Sequence, residues 1–317
     1  MTATTATTAS APAPSRTDRR RTATRPPWQG EPKRATSAGK AVALTLAVLA
    51  VLVPFWAVLA TSLSPDAQVI RNGGWSLWPE HISLHAYRQI LSGGTVTHAM
   101  LVSTGVTVVG TALSLLATTT LAYALARPGV FGGKPVLLGC MIAFLFPPGI
   151  IPSWLLVHGL HLTDTDWALI LPVLISVFNL VVMRGFFQGI PGELYEAARL
   201  DGAGELQVLF RIVLPLSRSI VAVVGFFYAV TYWNNFFNGM LYIAPSTGKW
   251  PLQTVLQLYV SAGASSDAAA GSEAAVHMAP QTQEMAMVVI AVLPILIAFP
   301  FLQRFFTKGV LVGAVKS

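Results

Sequence analysis

Long apolar stretches alternate with short polar ones along this chain, at about Ala41–Leu63, Ala99–Ala126, Val136–Val157, Trp167–Met183, Ser219–Ile243 and Met285–Gln303. None of these six contains Asp, Glu, Lys or Arg. Crossing a bilayer takes about 20 mostly apolar residues at about 1.5 Å of rise each. The pattern therefore predicts six transmembrane helices. Pro54 lies inside the first and predicts a kink, which spans tolerate. Composition excludes the competing picture of buried helices in a large soluble protein. With 54% apolar and only 10% charged residues, the chain lacks the polar shell that such a protein needs.

Charge sets the expected orientation. With the N-terminus inside, seventeen of the 20 Lys and Arg residues fall in cytoplasmic segments, and only Arg71, Arg88 and Lys249 fall outside. Cytoplasmic loops carry such an excess, so both termini are expected in the cytoplasm of a multi-pass plasma-membrane protein. The same bias accounts for the net charge of +7, and no nucleic-acid partner is needed to explain it. Residues 1–40, rich in Thr, Ala, Pro and Arg, bury too little apolar surface to offset ordering entropy and are expected to be a disordered basic tail. Weak attraction to anionic membrane lipid is normal for its Arg16–Arg25 cluster. Residues 41–317 form the expected transmembrane domain. The apolar run at Ala41–Leu63 is too long for a cleaved signal sequence and lacks a clear cleavage site. Within the outer segment Ala244–Glu284, the stretch Ser261–Ala275 reads as a flexible linker, with Trp250–Val260 ordered beside it.

Catalytic chemistry finds no support. The single cysteine, Cys140, sits in the third apolar stretch and reads as a packing residue. The six histidines lack metal-ligand spacing, and a phosphate-binding loop is missing because Gly132-Gly133-Lys134 runs into Pro135 and Gly248-Lys249 into Trp250. The chain reads as neither an enzyme nor the holder of a cofactor or metal.

The polar segment Glu193–Pro215 is the most telling one. Glu193 to Leu200 reads as a short helix with its acidic residues near the N-terminal end, where the helix dipole favours them. Asp201-Gly202 can turn the chain, because Gly202 can take positive φ. A second helix from Glu205 to about Ile212 leads back to Pro215. Two short helices about a glycine turn make a rigid knob. Ala197, Ala198 and Ala203 keep it slim enough for a groove, and Glu196 and Arg199 give it directional charge.

The run Glu196-Ala197-Ala198, then Asp201-Gly202-Ala203, then Phe210-x-Ile212-x-Leu214-Pro215, resembles the EAA loop of permease subunits of ATP-binding-cassette importers. Gly149–Phe187, Tyr232–Ile243 and the terminal Lys308–Lys316 are similar to the carbohydrate branch, the maltose-type second permease. The resemblance implies an all-α type I importer permease of six transmembrane helices, half of a translocation pathway for a carbohydrate such as an oligosaccharide. It implies a second homologous permease subunit, two ATP-binding subunits that hold the ATP and Mg²⁺, and an extracytoplasmic sugar-binding protein as partners. It also implies that Glu193, Glu196, Ala197, Ala198, Arg199, Asp201, Gly202, Ala203 and Pro215 couple to the ATPase, and that Gly313 and Lys316 of the tail touch it.

Polar residues inside spans are costly and are candidates for function. At about 100° per residue, Tyr228, Tyr232 and Asn235 share one face of the fifth stretch with Asn238 close by, and Asn179 has similar status in the fourth. Aromatic rings stack on sugars and carboxamides bond hydroxyls. The same groups could equally bond neighbouring helices. The rival function is an autonomous channel or an ion-coupled carrier; ion-coupled carriers usually need carboxylates or basic groups within the spans, and this chain has none there.

Overall fold

A computed structural model describes residues 34–244, 248–268 and 281–313. All regular structure among the described residues is helical. In chain order the helices are α1 (Arg34–Ser62), α2 (Asp66–Arg71), α3 (His85–Ser92), α4 (Thr95–Ala126), α5 (Gly133–Leu145), α6 (Ile150–Gly159), α7 (Trp167–Ile170) and α8 (Val177–Gln188). There follow α9 (Gly192–Leu200), α10 (Glu205–Val208), α11 (Leu214–Leu216), α12 (Arg218–Trp233), α13 (Phe236–Tyr242), α14 (Leu252–Ala268) and α15 (Gln281–Gly313). Contacts divide the chain into two units, Met1–Pro54 and Phe55–Ser317. In the first, the helix starts at Arg34, ahead of the expected Ala41, and its described large apolar side chains are exposed.

Among the described residues, three helices are long and apolar enough to cross a membrane whole: Ala38–Ser62, Thr95–Ala126 and Gln281–Pro300. Three more crossings exist only if bent pairs each count as one: α5 with α6 at 119°, Trp167–Val173 with α8 at 52°, and Glu205–Leu216 with α12 at 88°. The sequence predicted continuous spans through the first two of these pairs, and their breaks correct it, whereas the third bend lies ahead of the expected fifth span at Ser219. Between α5 and α6, Pro147 and Pro148 lack the amide hydrogens a helix needs. Gly149 then takes φ +87°, which a side chain would oppose. The fourth stretch breaks at Leu174–Ser176, beyond a 3-10 turn at Leu171–Val173 that contains Pro172. The fifth does not run on to Ile243 as expected. It stops at Asn234, whose carboxamide donates to the Val230 carbonyl of its own last turn at 2.9 Å, and restarts at Phe236.

The core of the second unit lies where α4, α8 and α12 meet. Without water to drive apolar association, helices in lipid gain from close packing of small residues and from interhelical hydrogen bonds, the latter averaging about 0.6 kcal/mol each. Both devices are present. Gly110 of α4 lies flat against the Tyr232 ring of α12, and Gly225 of α12 receives Leu115 of α4. The Ser114 hydroxyl bonds the Tyr232 hydroxyl at 2.7 Å, and Thr118 bonds that of Tyr228 at 2.6 Å. A second cluster joins α3, α14 and α15, where the Trp233 indole donates to the Ala291 carbonyl at 2.8 Å. Helix α14 covers the expected ordered segment from Leu252 to Val260 and continues to Ala268. Its backbone is thus helical into the stretch expected to be a linker. Residues 269–275 of that linker, the basic tail up to Lys33, and Lys316 lie outside the described residues.

Candidate coupling site

Between α8 and α12 the chain folds into the two short helices the sequence predicts. Pro191 precedes α9 rather than ending α8, which stops at Gln188. Glu193 sits in the first turn of α9 and Arg199 in its last, each complementing the helix dipole. Gly202 takes φ +76°. The turn closes through the Ala203 amide, which donates to the Ala198 carbonyl at 2.9 Å, and the Gly202 amide, which donates to that of Arg199 at 3.0 Å. The second helix is less regular than expected. After the four residues of α10 it widens into a π turn at Leu209–Val213 before α11. Pro215, which has no amide hydrogen for the Arg211 carbonyl, accounts for that widening.

One guanidinium holds both helices. Arg127, just past the end of α4, donates from Nη2 to Glu205 Oε2 at 2.8 Å. Its planar group also stacks 4.0 Å from the centroid of the Tyr195 ring of α9, a favourable cation–π placement. The Tyr123 hydroxyl of α4 donates to the same Glu205 oxygen at 2.6 Å. Arg199 Nη2 completes the set on Oε1 at 3.0 Å. The Arg127 side chain is only 11% exposed while that of Glu205 is 54% exposed, so the bond is charge-assisted on a buried cation but open to solvent screening on the carboxylate side. Hydrogen bonds from Tyr123 and then Arg127 hold the Glu205 carboxyl down at about 2, against an ordinary 4.5.

A depressed carboxyl contributes stability that is present above its ordinary value and is lost as pH falls through the shifted one. Hydrogen exchange at the Ala203 and Val208 amides, corrected for intrinsic rates, should therefore hold constant from pH 7 to about 4.5. Protection should then fall towards about pH 2. Glu205→Gln should flatten that loss. A transition centred near neutrality would contradict the assignment.

The outward surface of the knob consists of Glu193, Leu194, Glu196, Ala197, Leu200, Asp201 and Gly202, all exposed. Leu200 is 90% exposed, although its neighbours Tyr195 and Ala198 are buried. This corrects the reading of the three alanines. Ala197 faces out, Ala203 is half-buried, and Ala198 is small because it packs inward. Arg199 likewise directs part of its charge to Glu205 inside the loop.

The polar residues expected to share one face of the fifth span do not stay together. Tyr228 and Tyr232 are buried, with both hydroxyls engaged. The Tyr228 hydroxyl accepts from the Ser176 amide at 2.9 Å, and that of Tyr232 donates to the Ile170 carbonyl at 3.2 Å. These are backbone groups that the broken fourth span leaves without helical partners, and in lipid each needs one. Asn235 lies in the break and donates to the Leu169 carbonyl at 3.3 Å, while Asn238 is half-exposed on α13. Asn179 is buried in the first turn of α8, its amide donating to Ser176 Oγ at 3.4 Å. Gly313 is the last residue of α15.

Residues 115–312 match the family described as the inner membrane component of binding-protein-dependent transport systems. The chain belongs to this family. Among its curated relatives is the polygalacturonan/rhamnogalacturonan transport system permease protein YtcP of Bacillus subtilis. The two are 41% identical over 278 residues, covering 86% of this chain and 95% of that protein. Protein LplC of the same organism is 42% identical over 84% of this chain and 90% of its own length. The arabinooligosaccharides transport system permease protein AraQ, again from Bacillus subtilis, is 27% identical over 84% and 91%. A crystal structure of a bacterial ABC transporter involved in the import of the acidic polysaccharide alginate contains a chain of the same fold. Its TM-score is 0.78 at 26% identity, covering 89% of this chain and all of that one.

Membership makes this a membrane permease that works with other transport components, and such permeases are not enzymes. The matched region opens within α4 and takes in the whole segment between α8 and α12. Reading the sequence missed Tyr123, Arg127 and Glu205. Arg127 was findable as the first charge after an uncharged stretch, and Glu205 as the only acid opening the second helix.

Proposed function

We propose that this chain is one permease subunit of an ATP-driven importer for a carbohydrate, most simply an oligosaccharide, and that the segment Gly192–Leu216 is its joint with the ATPase. Family membership supports the transport role, and the names of YtcP and AraQ support the cargo class. The observation that carries the joint is the double anchoring of an exposed knob to α4 through Arg127. On this reading Glu193, Glu196, Ala197, Asp201 and Gly202 face an ATP-binding subunit. Tyr195, Ala198, Arg199, Ala203 and Pro215 shape the knob, and Gly313 and Lys316 of the tail reach the same neighbour. Both termini lie in the cytoplasm.

The partners on this reading are a second homologous permease, two ATP-binding subunits that hold ATP and Mg²⁺, and an extracytoplasmic sugar-binding protein. Closure of the ATPases pulls on the knob. Glu205 passes the pull through Arg127 and Tyr123 to α4, and the helical run up to α11 passes it to α12. Because Tyr228 and Tyr232 bond α12 to α4, the two helices move together and the pathway changes its open side. Asn235 and Asn238 are the proposed cargo contacts, with Asn179 behind them. Tyr228 and Tyr232 hold the wall of the pathway.

Glu196→Lys tests the joint. Glu196 is exposed, so the variant should insert and assemble normally. Uptake of cargo should be lost while ATP hydrolysis continues. Normal uptake would overturn the proposed role of this surface.

A further inference from the structure

Beside the knob, at the junction of α4 and α5, lies a separate cavity of about 580 Å³. Three cationic side chains line it, Arg127, Lys134 and Arg184, with Gln188 as a neutral polar neighbour and no carboxylate. Arg184 is fixed there by its Nε, which donates to the Leu125 carbonyl at 2.9 Å. Neither Lys134 nor Arg184 has a carboxylate partner among the described residues. Arg127 has one, but Glu205 divides its charge between Arg127 and Arg199. The Nε of Arg127 is buried without a partner. Three cations lining one cavity repel one another, and an anion taken up among them relieves that repulsion.

The surroundings choose the anion. The cavity opens where the 32-residue α4 ends and α5 begins, at the level where an apolar helix meets lipid headgroups. From there α5 has no buried residue, and Leu138, Met141, Ile142, Phe144 and Leu145 are all exposed. A basic pocket at the end of a helix whose flank is bare hydrocarbon suits one molecule. Phosphate enters the pocket, and acyl chains lie along the helix. Basic pockets between spanning helices take anionic headgroups in this manner.

We infer that the cavity formed by Arg127, Lys134 and Arg184 is a binding site for the phosphate headgroup of an anionic phospholipid. The site uses the same guanidinium that anchors the knob, so a bound headgroup and Glu205 share Arg127. Lipid occupancy therefore adds charge balance at the base of the joint.

The test uses the assembled transporter, transferred to nanodiscs of equal parts phosphatidylglycerol and phosphatidylcholine, with retained lipid read by native mass spectrometry. Lys134→Glu and Gln188→Glu are the variants, since both side chains are exposed and neither is placed in the joint. The parent should retain phosphatidylglycerol in preference to phosphatidylcholine. Each variant should lose about fivefold or more of that preference, the order expected for one charge near a membrane surface. A parallel arm adds inorganic phosphate in detergent and follows the melting temperature. Protection by phosphate with no lipid preference would replace the lipid with a free anion and overturn the inference. Equal retention in parent and both variants would also overturn it.

Discussion

Replacing Gly110 with leucine should pull α4 away from α12 and leave little folded protein. A Cβ at this position would already lie 2.7 Å from Tyr232 Cζ, with two more ring atoms at 2.8 Å. The ring cannot retreat, because its hydroxyl is held by Ser114 at 2.7 Å and by the Ile170 carbonyl at 3.2 Å. Overpacking of an interior costs about 1–3 kcal/mol when neighbours can yield, and here moving the ring also breaks those bonds. Gly110→Ala should lower the melting temperature of the assembled transporter, and Gly110→Leu should abolish its yield. Coupling between the two positions is checked with the pair Gly110→Ala/Tyr232→Leu. Residues in contact deviate from additivity, so the pair should melt higher than the sum of the two single changes predicts. Strict additivity would mean that the two residues do not meet.

Glu205→Arg should have the second-largest effect, and of a different kind. It places a third cation against Arg127 and Arg199 and releases the knob from α4, yet the residue is about half exposed, so the fold should survive. Mutations along a coupling path change the coupling by about 0.5–2 kcal/mol, and a charge reversal belongs at the upper end. Uptake should fall about tenfold or more while ATP hydrolysis by the assembled complex stays high. Exchanging the charges with Arg127→Glu on the same chain should restore part of the uptake. If both variants transport normally, the ion pair has no part in moving α4. A loss of assembled complex would assign Glu205 a folding role instead.

The sequence conveyed the apolar stretches, the helix–turn–helix character of the polar segment and the turn at Gly202, because each is written in consecutive residues. Contacts between distant segments were less accessible. Arg127 and Glu205 stand 78 positions apart, and nothing in either neighbourhood announces the other. The role of Tyr228 and Tyr232 was hidden for the same reason. Their hydroxyls answer backbone groups exposed by a break in another span, and that break follows from Pro172 and Ser176. The breaks at Pro147-Pro148-Gly149 and at Asn234-Asn235 were visible in the letters, but apolar content outweighed them when the spans were read as continuous.

As proposed, Gly192–Leu216 is a mechanical joint seated in an ATP-hydrolysing neighbour. Placing the sole reactive thiol at its exposed tip tests this most directly, with Ala197→Cys made on a Cys140→Ser background in sealed vesicles of known orientation. Labelling should come from the cytoplasmic side only, with a disulfide or short cross-link to an ATP-binding subunit whose yield changes with added nucleotide. Labelling from the opposite side, or no cross-link to such a subunit with or without nucleotide, would contradict it.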